Sequence, residues 1–511
     1  MKDIRPFVFW VPMSALIAAV IISLIDIDTL LAVTGAANTW ILDEFAFLFR
    51  WASFGFVITV LIVFFSPLGR VVIGGEGAEP ILSRWSWFSI SLCTTIAIGI
   101  LFWATAEPLF HLSGPPAASG ILAGSAEAVT FSMSSLFMHW TFTPYAIYTV
   151  PGIACALAYY NLGKPYSLSG PLSLVARSAE SHWGGNIIDA VALFALFAGI
   201  AATLGAGTLS LAGGIADAAS IRVSPLLTAG VTITVVSAFV ISSITGLQRG
   251  IRILSDINAK FFFALVLFMF AVGPTAFILE AGYSGLVDYI STFVPRSLGL
   301  GADYDNEWSK SWTVFYVANW LAWAPIAGLF LGRIARGYTV RAFILVNFIG
   351  PSFFGMAWMS IFGGAAMHID LTESGILSTA LTEMGPEAII YLVIDRYPMA
   401  SLISIVFIFL SFISYVTAAD SNTEAIASVC RKDSTPENMN QMADAPTDRS
   451  SLILKVVLAV FIGTTAWVMT AFTGVDGVRT LSNLGGFPAL FIVIGLNIAV
   501  LKLVYRSVKG Q

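Results

Sequence analysis

Charge is scarce in this sequence: Asp, Glu, Lys and Arg together supply only 11 % of 511 residues. A soluble globule carries roughly a quarter, so this chain has too little charge to wrap its apolar residues in a water-facing shell, and a large soluble domain is excluded. Cysteine is nearly absent as well. The 3 cysteines, Cys93, Cys155 and Cys430, fall in or beside apolar stretches, and no disulfide framework or metal cluster follows from them. There is no basic block and the net charge is −5, which argues against a nucleic-acid partner.

What fills the chain instead is apolar, 57 % of all residues. Long apolar runs at 7–26, 46–68, 85–110, 129–160, 187–216, 224–245, 257–281, 311–332, 340–366, 398–418, 451–474 and 482–505 match the length of about 20 residues that a helix needs to cross a bilayer. They predict an all-α membrane protein of twelve spans. The first run has Lys2 and Arg5 before it and no small-residue cleavage site after it, so it reads as a retained helix. Residues 282–297 place Leu286, Ile290 and Phe293 on one stripe with Asp288 off it, the pattern of an amphipathic helix on the outer surface. Residues 386–397 read as a short outer helix ended by Pro398.

With the N-terminus inside, nineteen of the 25 basic residues gather in inner loops, and only Arg50, Arg222, Arg296, Lys310, Arg396 and Arg479 are left outside. That bias predicts a multi-pass protein of the inner (plasma) membrane with both termini cytoplasmic.

Two spans read as interrupted. The third holds Thr94-Thr95-Ile96-Ala97-Ile98-Gly99 near its middle and Glu107-Pro108 near its outer end, and the eighth holds Trp323-Ala324-Pro325 followed by Gly328. Backbone groups freed inside a bilayer persist only where protein or a watery cavity satisfies them. Because these spans lie five apart, each opens a five-helix unit, the sequence pointer to an inverted-repeat secondary transporter with its substrate near the midplane. The expected layout is two N-terminal helices in 1–84, a first repeat in 85–281, a surface helix and outer loop in 282–310, a second repeat in 311–505 and a short cytoplasmic tail in 506–511. Without a long basic C-terminal tail, transport is expected not to depend on one.

Aromatic residues sharpen this picture. Trp140, Tyr145 and Tyr148 lie well inside the fourth span, and Tyr316, Trp320 and Trp323 inside the eighth. Most membrane Trp and Tyr form interfacial belts, but rings converging on a dry cavity attract a cation by roughly 2 kcal/mol or more. A methylated onium group is the natural guest.

The stretch Trp312-Thr313-Val314-Phe315-Tyr316 through Asn319-Trp320-Leu321-Ala322-Trp323-Ala324-Pro325, on to Gly328 and Arg333-Ile334-Ala335-Arg336-Gly337, closely resembles the signature segment of the betaine/carnitine/choline transporters. His139-Trp140-Thr141-Phe142 with Pro144, Tyr148 and Gly152 is similar to that family's fourth helix, Phe102-Trp103 with Glu107-Pro108 to the end of its third, and Thr417-Ala418-Ala419-Asp420-Ser421 to the end of its tenth. The resemblance implies a LeuT-like five-plus-five inverted repeat preceded by two extra helices, a transporter of onium compounds, and a homotrimer. By position it implies an aromatic box of Trp140, Tyr145, Tyr148 and Trp320, with Tyr145 where a Trp is usual, and Trp323 beside it. An unwound stretch at Thr95, Ala97 and Gly99 would offer backbone N–H groups to a substrate carboxylate. Asn319 stands where another Trp is usual and supplies a donor and an acceptor.

For coupling, the resemblance implies sodium at Cys93, Ile96 and Thr417, since sodium seeks oxygen ligands as other hard cations do. Ala418 replaces an expected Ser, and Leu196 and Ile200 stand where a second site would need hydroxyls. The third-helix stretch lacks the Asp expected of a proton-coupled member, and the fifth helix lacks the basic residue expected of a sodium-independent exchanger.

Glu107 suits gating or helix-end hydrogen bonding, and Asp420 gating or capping. His139 suits either a proton relay or a neutral hydrogen-bonded residue between helices. A sodium-independent exchanger of onium compounds and an amino-acid carrier on the same scaffold stay open. A membrane-embedded enzyme using His139 with Asp420 or Glu107 lacks a nucleophile with a positioned base, and an ion channel lacks filter repeats and rings of charge.

Overall fold

The computed structural model describes residues 5–245, 248–301, 304–430 and 449–510, and the side chains of 96–98, 239, 242–254, 417–425, 427–428 and 449–455 lie outside the described residues. Among the described residues all regular structure is helical, with one isolated bridge between Val72 and Thr339. The long helices are α1 (Pro6–Ile25), α2 (Ile27–Phe65), α3 (Arg84–Ser113), α4 (Ala126–Trp140), α5 (Phe142–Ala156), α6 (His182–Ala219), α7 (Pro225–Thr245), α8 (Gln248–Val272) and α9 (Thr275–Leu298). They continue with α10 (Phe315–Arg333), α11 (Gly350–Thr372), the short α12 (Ile376–Met384) and α13 (Pro386–Ile394), then α14 (Ala400–Cys430), α15 (Arg449–Thr473) and α16 (Val475–Val508).

Among the described residues, 8 helices are long and apolar enough to cross a membrane, and the two limbs of α3 make another crossing. The pair α4–α5, α7 with its apolar stretch Pro225–Ala238, and α14 with Ala400–Val416 cover the remaining expected spans.

Several boundaries move. Asp26 ends α1 and caps α2, accepting from the Thr29 amide at 3.1 Å and its hydroxyl at 2.6 Å. α2 therefore runs 39 residues and starts at Ile27, not near 46. Asp28, Asn38, Asp43 and Glu44 dilute the apolar run there, but no proline interrupts it. The seventh span ends at Val272 rather than 281, because Pro274 lacks an N–H and bars the preceding residue from helix. The surface helix consequently begins at Thr275 and buries Ile278, Ala281, Gly285 and Tyr289, whereas Ile290 of the expected stripe is 68 % exposed. A Cβ on Gly285 would lie 2.5 Å from Met133 Cγ, so this helix packs closely on α4.

The interruptions are also redistributed. α3 remains helical, but its limbs Arg84–Thr95 and Gly99–Ser113 meet at 55°, so the expected unwound stretch is a bend. The fourth span, read as continuous, is broken at Thr141. The eighth continues through Pro325, and its irregularity is instead a π-helical turn at Lys310–Val314.

That eighth span is the centre of the molecule: 89 % of its apolar window is buried, against 33–61 % for the other seven. Small residues permit this, as is common between membrane helices. A Cβ on Gly328 would lie 2.6 Å from Pro151 Cβ, and one on Gly486 would collide with the Ala318 carbonyl, so α5 and α16 lie close against α10.

Predicted inner segments meet one another, through Tyr338 on the Leu82 carbonyl, Arg5 on Asp189 and Lys502 on the Leu174 carbonyl. Predicted outer segments also meet, through Lys310 on Asp43, Arg396 on Glu373 and Arg296 on Ser134.

Candidate functional site

α4 ends at Trp140, and at Thr141 the backbone leaves the helix with φ −123° and ψ −116°. The Thr141 hydroxyl donates to the Phe137 carbonyl at 2.5 Å, and Pro144 sits in the first turn of α5, where its missing donor costs nothing. This break brings Trp140 from one limb and Tyr145 and Tyr148 from the other against a single partner, Trp320 of α10. Ring centroids lie 5.5 Å apart for Trp140–Trp320 and 5.6 Å for Tyr148–Trp320, with interplanar angles of 83° and 86°. Tyr145 is tilted at 6.3 Å. All four rings are buried, and these separations and angles are those of favourable aromatic packing. The rings turn toward each other, not toward lipid.

Gly99, just past the α3 bend, forms the next wall. A Cβ there would lie 2.8 Å from Trp140 Cη2, so only glycine lets the indole lie against this backbone.

Behind the rings is a polar core that the sequence does not reveal. Glu107 is wholly buried. Its Oε2 accepts from Trp140 Nε1 at 2.7 Å and from the Tyr316 hydroxyl at 2.6 Å. Its Oε1 faces His139 Nδ1 at 2.6 Å and His111 Nε2 at 3.3 Å. His139 Nε2 reaches the Thr313 hydroxyl at 3.1 Å, and Trp320 Nε1 donates to the His139 carbonyl at 3.1 Å. Spacing along each helix shows only the local halves of this core: Glu107 and His111 are four apart on one helix, and Thr313, Tyr316 and Trp320 share a face at spacings of three and four. Thr313 also lines a cavity of about 330 Å³ with Phe131, Arg296, Tyr304 and Trp308, on the outer side of the cluster.

Other expected residues lie apart from the rings. Asn319 turns to α16, where its Oδ1 accepts from the Ser482 hydroxyl at 3.0 Å. Trp323 packs on α6, where a Cβ on Gly199 would lie 3.0 Å from its Nε1. The Thr95 hydroxyl donates to the Ser91 carbonyl of its own helix at 2.8 Å. Cys93 faces Ser255 and Asn258 of α8, and Asn258 donates to Ser414 of α14 at 2.8 Å. The side chains of Ile96, Ala97, Thr417 and Asp420 lie outside the described residues.

A twelve-span helical protein whose most buried span carries a convergent aromatic cluster belongs to the class of membrane carriers. The chain is a member of the betaine/carnitine/choline family of transporters, whose sequence profile matches residues 7–509, and it is therefore a secondary transporter and not an enzyme. It is 31 % identical over 420 residues to the glycine betaine transporter of Bacillus subtilis, covering 81 % of this chain and 80 % of that one. It is 28 % identical over 454 residues to the ectoine/hydroxyectoine transporter of Virgibacillus pantothenticus, covering 88 % and 87 %. With the high-affinity choline transport protein of Escherichia coli it shares 27 % over 512 residues, covering 100 % and 73 %. Among solved structures, a Na+-coupled sialic acid symporter in an outward-open state is similar with a TM-score of 0.47 and 13 % identity, covering 88 % and 86 %.

Proposed function

We propose that this transporter carries a betaine-like quaternary ammonium or sulfonium zwitterion across the inner membrane by alternating access of two inverted five-helix repeats, with sodium as the coupling ion. The supporting observation is the convergence of Trp140, Tyr145 and Tyr148 on Trp320, within 5.5–6.3 Å, beside the most buried span. Rings at such spacing, shielded from water, recognise a methylated cation through their faces. Relatives named for glycine betaine, ectoine and choline agree with a small onium or related solute.

In this reading Trp140, Tyr148 and Trp320 hold the positive head. The Tyr145 hydroxyl, buried with no partner among the described residues, donates to the substrate carboxylate together with backbone N–H groups of Thr95, Ala97 and Gly99. Trp323, one turn from Trp320, lines the path, and Asn319 acts through Ser482 at the seam with α16. Asp420 serves as a gate or cap at the inner end of its span.

The surroundings of Cys93 suit a hard cation: the Ser255 carbonyl, Asn258 and Ser414 gather there, and Asn258 Oδ1 is buried without a partner among the described residues. The Cys93 and Ile96 carbonyls with the Thr417 hydroxyl would hold sodium, which would tie uptake to the sodium gradient. The protein works as a homotrimer with both termini cytoplasmic.

Radiolabelled glycine betaine, choline and carnitine offered to proteoliposomes under an inward sodium gradient test this reading. Sodium-dependent accumulation of one of them is expected, and no uptake or exchange of any onium compound refutes it. Uptake unchanged when potassium replaces sodium removes the ion assignment alone. Chemical cross-linking in the membrane should trap three copies.

A further inference from the structure

Every partner of Glu107 is a donor or is able to be one: Trp140 Nε1, the Tyr316 hydroxyl, His139 Nδ1 and His111 Nε2. An indole N–H only donates, so Oε2 must accept, and the ionised carboxylate, an acceptor at both oxygens, fits the whole set. The network then assigns His139 its proton on Nδ1 and lets Nε2 accept from Thr313, a neutral tautomer. The arginines of the neighbouring helices are engaged elsewhere. Arg479 of α16 lies 4.5 Å over Trp312 and pairs with Asp476, while Arg296 of α9 lies 4.7 Å over Phe131, donates to Ser134 and Ser135, and faces Asp288.

A carboxylate thus stands directly behind the aromatic cluster, bonded to the polar edge of one of its rings, Trp140, and to the hydroxyl of Tyr316 beside it. Trp140 meets both Trp320 at 5.5 Å and Tyr316 at 5.2 Å, so one indole links the carboxylate to the cluster. A hydrogen bond from an indole N–H or a phenol O–H to an anion pushes electron density into the ring and deepens its negative face. The charge itself also reaches through a medium of low dielectric, where it is weakly screened.

We propose that Glu107 is the counter-charge of the transported onium group, acting through Trp140 and Tyr316 rather than by contact, and that it selects a positive head over a neutral head of the same shape. The inference rests on the onium reading above and makes Glu107 a positioning and specificity-determining residue, not a helix end alone.

The test compares ligand pairs that differ in one atom. Dimethylbutyrate is glycine betaine with carbon in place of the quaternary nitrogen, and dimethylbutanol is the same replacement in choline. Binding to the purified protein is followed by tryptophan fluorescence and by competition with labelled betaine or choline. For Glu107→Gln, affinity for the onium member of each pair is expected to fall on the order of tenfold, while affinity for the neutral-headed member holds or rises. Equal loss of both members marks a purely architectural role and overturns the inference. Tyr316→Phe keeps the carboxylate and the ring and removes one donor, so it serves if Glu107→Gln does not fold. It should lower onium affinity by a few-fold without moving the isosteres, and an unchanged preference overturns the inference. A wild-type protein that binds neither onium compound overturns the onium reading and this inference with it. A wild type that binds onium, with the same head preference after Glu107→Gln, overturns this inference alone.

Discussion

Gly99→Ala isolates the link between packing and recognition. The added Cβ would stand 2.8 Å from Trp140 Cη2 and 3.0 Å from Cζ3. Carbon atoms pack at about 3.5–4.0 Å, so backbone or indole must give by roughly 0.5–1 Å. The indole is pinned on its other sides, by Glu107 Oε2 at 2.7 Å and by Trp320 at a centroid distance of 5.5 Å. Overpacking of this kind costs about 1–3 kcal/mol. If the strain is relieved by breaking the indole–carboxylate bond, the loss is about 1.5–3 kcal/mol, typical of a hydrogen bond to a charged group. Alanine also favours helix over glycine by about 1 kcal/mol, which offsets part of the cost in stability but none of the loss in ring placement. The expected signature is a small change in thermal midpoint with onium affinity weakened by about tenfold or more, read by fluorescence titration and proteoliposome uptake. Gly328→Ala is the control. Its Cβ would meet Pro151 Cβ at 2.6 Å and the Pro151 carbonyl carbon at 2.9 Å, backbone that cannot step aside, so it should lower the midpoint more. Unchanged affinity in a folded Gly99→Ala protein would refute the claim that Trp140 must lie against this backbone to bind substrate.

Other perturbations give distinct readouts. Trp320→Ala removes the ring that Trp140, Tyr145 and Tyr148 all meet and should weaken onium binding by about 2 kcal/mol in equilibrium titration; full retention would take it out of the site. Arg5→Ala leaves the Asp189 carboxylate, 1 % exposed, without its 2.5 Å ion-pair partner. A loss of about 3 kcal/mol or less is expected, because the Arg5 side chain is itself 22 % exposed and partly screened; it would appear as a lower thermal midpoint, and no change would show that Asp189 is not held by charge. At the connection after the fourth span, hydrogen bonds from Lys164 and Ser173 hold the Glu180 carboxyl below its ordinary range. A lowered folded value means this pair contributes stability above the ordinary carboxylate range and loses it as pH falls through the lowered value. The drop in thermal midpoint on acidification should therefore be smaller in Glu180→Gln than in the wild type, and an identical drop would remove the pair from the acid response.

The legible part of this fold is the part set by local sums. The third span was marked by Thr95 to Gly99 and by Pro108, and it does bend at 55°. The eighth was marked at Pro325, yet its helix passes through that residue and opens instead at Lys310–Val314, because neighbours can absorb a proline's freed carbonyl and no sequence pattern reports whether they do. The break at Thr141 was marked only by Pro144 three residues on, which suits the first turn of a new helix as well as the inside of a span, and the Thr141 hydroxyl bonds back to the Phe137 carbonyl of its own turn, as it would in an unbroken helix. Trp140 and Trp320 lie on separate spans, and their rings meet at 5.5 Å. Asn319, one residue and about 100° of helix from Trp320, faces Ser482 instead of the rings.

Sequence alone determined that this chain lies in a bilayer, where its spans begin and end to within several residues in most cases, and which rings belong together. Those properties follow from hydropathy and helical period, which accumulate along a single stretch of chain. Tertiary structure decided what stands behind the rings. Glu107 is 33 residues from Trp140 and 209 from Tyr316, and only the rotation and closeness of three packed helices, fixed by glycines too small to hold them apart, put a carboxylate within 2.7 Å of both.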